Sequence, residues 1–498
     1  MESKRAAGIF DILGKLLILL AFFLMVPLIL SIYYRETLTI MSGYFLTALA
    51  SGMVGLMLEY FFAGKESRLD ISASMITTSL GWIVASLVMV VPFMLGFEMG
   101  FLDAYFEAMS GFTTTNMTLI ENIEIKPRSL IFLRSLLQWL GGLGILSFFL
   151  LVSFRGEKIL WNIFAAESHK ASSGRPVPNL YRTVKILWGI YCGLSLILLV
   201  LLWLSGLDLF HSIIHAMATI STGGFSSYNE SIAHFGQAGY GNFRIIEYII
   251  IIFMFLSGVN FLIHYRVLQK DWRYMLRNCE FKFYIKLILL FSAIVTAGVL
   301  WGKGLPLSAA EIEGGLRRSV FQVLAMLTTT GFETEYIGSP YFPVFVRQIF
   351  LVMMLTGGCV GSTSGGFKVV RMLIMKRLFG REMKRLGMPR GAVIPLTVEN
   401  RKVAWEEVYH ITGLFFTWLL LILLGGVITA IFSQHDMAVS LSGMFSAVNN
   451  IGPSYITAGE VLELPPAIKI TYILGMLAGR LEIIPVMALF SSDVWNRW

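Results

Sequence analysis

One short polar loop is written four times in this sequence, each time between two apolar runs: TTTNM at 113–117, STGGF at 221–225, TTTGF at 328–332 and NNIGP at 449–453. Superimposed, the loops align Asn116, Gly224, Gly331 and Gly452. Each follows a stretch of helical length rich in small and apolar residues (FEAMSGF, FHSIIHAMATI, FQVLAML, LSGMFSAV) and precedes a polar linker and a long apolar run. Non-helical backbone survives at membrane depth only where it is buried in protein or lines a water-filled path. Four such loops about one axis would form a ring of backbone carbonyls able to replace the hydration shell of a small cation. The candidate lining is therefore Thr114, Thr115 and Asn116; Thr222, Gly223 and Gly224; Thr329, Thr330 and Gly331; and Asn450, Ile451 and Gly452. A single TTTG would be read as structural, since Thr in membrane helices bonds back to its own helix. Repetition in register is what lifts the reading above that.

The runs around the loops set the class. Of 498 residues, 56% are hydrophobic and 14% charged, a balance outside that of soluble domains. About 20 mostly apolar residues span a bilayer. Ten such stretches lie near 8–32, 40–63, 71–97, 129–153, 184–205, 245–265, 283–301, 345–375, 407–432 and 468–490. The expectation is an all-α polytopic membrane protein whose four segments before the loops enter the membrane without crossing it.

The net charge of +8 lies in short linkers. Lys4, Arg5 and Lys15 stand at the first span, Lys65 and Arg68 after the second, and Arg155, Lys158, Lys170, Arg175, Arg182 and Lys185 after the fourth. Arg266, Lys270, Arg273, Arg277, Lys282 and Lys286 follow the sixth; Lys376, Arg377, Arg381, Lys384, Arg385, Arg390, Arg401 and Lys402 follow the eighth. The positive-inside rule places these linkers and both termini in the cytoplasm. Charge scattered this way does not make a nucleic-acid face. Cys192, Cys279 and Cys359 read as small apolar residues rather than a disulfide or metal framework. The first span is read as retained, not as a cleaved signal.

In chain order, 1–66 form an apolar hairpin without a loop, and 67–168, 169–275, 276–395 and 396–498 each carry span, short helix, loop and span. Asp103, Asp208 and Asp436 are expected to cap the short helices, with Glu313 the candidate in the third unit. Arg134, Arg244, Arg347 and Lys469 recur at the start of the span after each loop; they either snorkel or turn sideways to acids, with Glu107 and Glu247 as candidate partners. The run GGCVGSTSGG at 357–366 interrupts a span and is expected to form a flexible plug beneath the loops, carried by Gly357, Gly358, Gly361, Gly365 and Gly366. It matches neither a phosphate loop nor a nucleophile elbow. Arg480, in GRLEI inside the last apolar run, is expected near that plug or paired with Glu482. His211 and His215 have metal-compatible spacing but no third ligand in view. With no nucleophile and base in register, an enzyme is not expected; a receptor with degenerate loops remains the other non-transport reading.

The four loops, with QWLGGLGI at 138–145, VNNIGP at 448–453, GGCVGSTSGGFKVVR at 357–371 and MLAGRLEI at 476–483, resemble the TrkH/KtrB superfamily of potassium-translocating subunits, TrkH more than KtrB. The resemblance covers the whole chain. It implies four M1–P–M2 units in pseudo-fourfold arrangement, a K⁺ filter of loop backbones, and a gate at 357–366 with Arg480 beside it. It also implies a homodimer in the cytoplasmic (inner) membrane of a prokaryote, bound to a TrkA-type nucleotide-binding ring. Asn116 stands where bacterial members usually have glycine. In the similar plant transporters a serine there goes with sodium preference, so a Na⁺-permeable member is the alternative.

Overall fold

The computed structural model describes residues 2–64, 71–144, 180–303, 306, 308–389, 394–398 and 401–492. Lys65, Arg68, Arg155, Lys158, Lys170, Arg175 and Arg390, with 145–153 of the fourth expected span, lie outside them.

The first half of the fold runs through α1 (Glu2–Tyr33), α2 (Leu38–Phe62), α3 (Ile71–Val88), α4 (Val90–Phe97), α5 (Phe101–Phe112), α6 (Arg128–Leu143), α7 (Leu180–Leu204), α8 (Leu209–Ile220), α9 (Phe243–Ser257) and α10 (Phe261–Leu268). The second half runs through α11 (Cys279–Lys303), α12 (Ala309–Leu327), α13 (Val344–Met354), α14 (Val369–Leu386), α15 (Trp405–Ser433), α16 (Met437–Asn449), α17 (Pro466–Arg480) and α18 (Ile484–Phe490). Helices α5, α8, α12 and α16 each end at a loop.

Six of the ten expected spans are long apolar helical segments: α1, α2, α3 with α4, α7, α11 and α15. The other four are the segments that follow the loops, and none is a continuous span among the described residues. Helix α6 ends at Leu143, where Gly144 takes φ +95°. Helices α9 and α10 meet at 99°. Gly258 and Asn260 make that bend: the Asn260 side chain caps α10 by accepting from Leu262 N at 2.8 Å, and a Cβ on Gly258 would strike Tyr284. Helices α13 and α14 are separated by the glycine-rich segment, as expected. The last expected span, 468–490, breaks after Arg480, with Glu482 and Ile483 both at positive φ.

The short helices begin as their caps dictate, with two changes from the expectation. Asp208 and Asp436 accept from His211 N at 3.0 Å and Val439 N at 2.9 Å. Asp103 lies inside the first turn of α5, whose cap is Gly100, and pairs instead with Lys469 at 2.7 Å. In the third unit Ser308 and Glu311 form a capping box, and Glu313 pairs with Arg317. The N-terminal hairpin is tightly crossed, because Gly14 and Gly55 face each other and leave no room for a side chain. It is tied to the rest of the fold by Glu36, which accepts from Ser129 N at 3.0 Å, and by Tyr44, bonded to Ser129 at 3.0 Å.

Candidate functional site

The four loops share one backbone pattern. Thr114, Thr222, Thr329 and Asn450 take φ of 55°, 52°, 55° and 54°. Two residues on, Asn116, Gly224, Gly331 and Gly452 take 66°, 81°, 72° and 101°. The residues between them, Thr115, Gly223, Thr330 and Ile451, do not take positive φ. Alternation of left-handed and ordinary conformations turns successive carbonyls the same way instead of winding them into a helix. The loops also touch in a fixed order. A Cβ on Gly452 would lie 2.7 Å from Thr115 O, one on Gly331 1.8 Å from Ile451 O, and one on Gly224 1.9 Å from Thr330 O. Loop one therefore abuts loop four, loop four abuts loop three and loop three abuts loop two. Glycine at these three places is required twice, by φ and by the neighbouring carbonyl.

Asn116 breaks the rule at the fourth place. Its side chain reaches over the loops, and Nδ2 donates to Gly331 O at 2.8 Å. The same amide would meet a Cβ on Gly224 at 2.7 Å, and Asn116 Cβ would meet one on Gly452 at 2.5 Å. The carboxamide thus lies among the other three loops. In loop two, Gly223 O accepts from Gln138 Nε2 at 2.7 Å, and Gln138 Oε1 accepts from Phe225 N at 3.0 Å.

Side chains behind the loops hold their shape. Thr113 bonds Thr115, and Thr328 bonds Thr330, each at 2.7 Å. Asn450 Nδ2 donates to Thr115 Oγ1 and to Met476 O, both at 2.9 Å. His211 and His215 bond Ser227 at 2.7 Å and Ser226 at 3.0 Å, fixing the chain just after loop two. No group of three potential metal ligands occurs among the described residues.

Above the ring lies a vestibule of about 630 Å³, bordered by Asn116, Gly224, Gly331 and Gly452 and by Glu121, Glu230, Glu333 and Glu335. The basic residues that recur after each loop turn sideways here. Arg134 Nε donates to Glu107 at 2.7 Å, with its guanidinium 3.9 Å from the Phe225 ring centre. Arg244 lies 3.9 Å from Glu313, and Lys469 bonds Asp103. Arg347 donates to Gly338 O at 3.3 Å. Glu247, expected as a partner of this series, pairs with Arg317. Buried pairs of this kind are costly to break singly.

Beneath the ring, 357–366 contacts loops three and four and the root of loop two, and Arg480 links it to loop one. Gly365 N donates to Thr329 Oγ1 at 2.7 Å, and a Cβ on Gly365 would meet Asn449 O and Asn450. Thr363 Oγ1 donates to Ile220 O at 3.0 Å, at the root of loop two. Arg480 makes the fourth link: it donates to Thr114 Oγ1 at 3.2 Å and to Thr363 O at 3.0 Å, and also to Gly141 O and Gly142 O. Only about 50 Å³ remains here, space for one or two water molecules. The segment was expected to be flexible, yet it is bonded along its length. Cys359 N donates to Gly258 O at 2.9 Å, Phe261 N to Gly361 O at 3.1 Å, and Val360 N to Glu280 at 2.7 Å. Glu482 is bound by Arg371 rather than by Arg480.

Gln138, Glu280 and Arg371 were missed as site residues. Gln138 sits within a quoted motif, but nothing in its spacing names Gly223 as its partner 85 residues away.

Residues 40–497 match the family of TrkH cation transport proteins. The chain belongs to that family. TrkH of Escherichia coli, a Trk system potassium uptake protein, is 30% identical over 97% of this chain and 98% of its own length. An uncharacterized cation transporter of Methanocaldococcus jannaschii is 31% identical over 99% and 97%. The crystal structure of the potassium transporter TrkH from Vibrio parahaemolyticus superimposes with a TM-score of 0.85 and 27% identity, covering 98% of this chain and 99% of that one.

Proposed function

We propose that this chain is the ion-conducting subunit of a gated potassium uptake system, with K⁺ passing through the four loops as through a filter. The observation that carries this reading is the shared alternation of φ in four loops that abut in order below a vestibule. Such a ring offers a cation carbonyl dipoles that cost no reorganisation. The units 67–168, 169–275, 276–395 and 396–498 are its pore repeats, arranged about a pseudo-fourfold axis. The segment 357–366 is the gate, and Arg480 bars the path between filter and gate. An arginine that donates to both filter and gate adds a positive charge to a space of about 50 Å³, where the low dielectric strengthens its repulsion of a cation. The protein works as a homodimer in a prokaryotic inner membrane, termini cytoplasmic, with a TrkA-type nucleotide-binding ring docked on its cytoplasmic face.

A second reading, weaker selectivity with Na⁺ permeation, is favoured by Asn116. In the other three corners a neighbouring carbonyl lies where a Cβ would be. Asn116 has that Cβ, and the remaining carbonyl, Gly223 O, is bound by Gln138. One corner of the carbonyl ring is therefore altered, and a carboxamide covers its mouth. Reversal potentials of the purified chain in liposomes, under opposed KCl and NaCl gradients, decide between the two. A K⁺-selective potential supports the first reading, a potential near zero the second, and no current under any nucleotide or ring-subunit condition removes both.

A further inference from the structure

On the side of the membrane that holds α14, a cleft of about 540 Å³ opens between α11 and α14. Lys282 and Lys286 line one wall, one turn apart on α11; Lys376, Arg377, Arg381 and Lys384 line the other. No acidic residue lines it among the described residues, and of these six only Arg381 has an acidic partner there, Glu382 at 3.1 Å. Lys376, Gly380 and Lys384 fall at intervals of four on one stripe of α14, and nothing lies within 4 Å of where a Gly380 side chain would start. The glycine thus leaves the floor open between two lysines. The guanidinium of Arg381 is held by Ile394 O at 2.7 Å, and that of Arg377 is held by Thr397 O.

Like charges gathered in a cleft need an anion, and ammonium groups beside planar guanidinium forks match a phosphate group. We propose that this cleft binds the headgroup of an anionic phospholipid. The apolar surroundings favour a lipid over a soluble phosphate. Leu289 and Leu290, three and four residues after Lys286, are 63% and 54% exposed on the flank of a span, where an acyl chain would lie. On α14, Phe379, Met383 and Leu386 form an exposed apolar stripe spaced at four and three residues, as in a helix lying in the membrane interface. Basic pockets between membrane helices at that level are suited to anionic headgroups.

Both walls also hold 357–366. Glu280, two residues before Lys282, accepts from Val360 N at 2.7 Å. Helix α14 continues directly from the segment, and Val369 N donates to Gly358 O at 3.2 Å. A headgroup that draws α11 and α14 together therefore acts on the segment from two sides. This half of the proposal rests on 357–366 being the gate.

The test uses the full chain and two readouts. Retention of phosphatidylglycerol and phosphatidylcholine is compared by native mass spectrometry for the wild type, for the triple variant Lys282→Gln, Lys376→Gln, Lys384→Gln, and for Gly380→Leu, which fills the floor without changing charge. Loss of about a hundredfold in phosphatidylglycerol preference is expected for the triple variant, and a smaller loss for Gly380→Leu. Equal retention by all three overturns the site. Wild-type binding of inorganic pyrophosphate, abolished in the variants, without phosphatidylglycerol preference overturns the lipid assignment. Flux in phosphatidylcholine vesicles with and without phosphatidylglycerol tests the coupling: a several-fold dependence on phosphatidylglycerol, lost in the triple variant and reduced in Gly380→Leu, is expected. Retention without any dependence of flux overturns the coupling and leaves the site. Since retention is measured without flux, failure of the transport reading does not imitate failure of this one.

Discussion

Above the level of Arg480 the molecule repeats itself, and below that level it does not. Four loops share φ values within a few tens of degrees and open onto a vestibule of about 630 Å³. The helices that follow them end in different ways: α9 turns through 99°, α13 gives way to a glycine-rich segment and α17 stops at a strained pair of residues. The space left there is about 50 Å³. Regularity suits a device that must surround an ion evenly, while a barrier needs only one obstruction. Changes above should therefore alter which ion passes, and changes below how many pass.

The largest effect is expected from Gly331→Ala. The new methyl group would fall 1.8 Å from Ile451 O at φ +72°, adding to the roughly 1–2 kcal/mol of the left-handed conformation. Discrimination between K⁺ and Na⁺ should be lost with protein still in the membrane; Gly361→Ala, in 357–366 at φ +77° with 3.0 Å to Asn260, should leave selectivity intact. Full K⁺-selective flux in Gly331→Ala would end the comparison at its upper half. Next comes shortening of 357–366, which should raise flux several-fold at unchanged cation preference. A well-folded variant with lower flux would show that the segment is not an obstruction.

Arg480→Ala should also raise flux, by less, because the Gly141, Gly142 and Thr363 carbonyls lose their donor at about 1–3 kcal/mol each. Yield and flux from one sample separate a barrier from a strut: loss of yield alone would make Arg480 structural. Asn116→Gly comes fourth. Removing the amide that bonds Gly331 O should raise the K⁺/Na⁺ permeability ratio with little change in stability. A ratio that stays or falls would make Asn116 a glycine substitute chosen for its backbone.

The smallest effect concerns Glu333 at the vestibule. Burial, opposed by a hydrogen bond from Ile337 N and reinforced by Glu230 and Glu335, pushes its pKa up to about 8. A raised carboxyl pKa means that the native protein keeps this proton through neutral pH and loses it as pH passes about 8. The associated stabilisation is fullest below the ordinary carboxylate range and declines as pH rises. The new negative charge should speed cation entry between about pH 7 and pH 9, and Glu333→Gln should remove that rise.

Much of the upper half was legible because repetition made it so: one register across four loops aligned the positions whose φ values the structure repeats. Composition marked 357–366, and the cost of a mid-span arginine marked Arg480. The breaks at 258–260 and 481–483 were not legible, since hydropathy over a span-length window averages one or two polar residues into the apolar run around them. Asn116 shows a different limit. Its residue type stood out in the register, but its bond to Gly331 joins residues 215 apart and needed the fold.

Glu482 and Ile483 lie in succession at φ of 58° and 68° without a glycine between them. Positive φ costs an ordinary residue about 1–2 kcal/mol, and Ile483, at φ 68° and ψ −51°, is the centre of a strained γ-turn closed by the bond from Ile484 N to Glu482 O at 2.8 Å. The Arg371–Glu482 ion pair and the bond from Ile483 N to Ala478 O at 2.7 Å hold this corner in place. The catch on this corner is a salt bridge to α14, the helix that follows 357–366. Releasing the catch lets the chain at 481–483 relax, and the residue immediately before the corner is Arg480. A change at α14 that breaks the Arg371–Glu482 pair therefore reaches Arg480 through the backbone at 481–483.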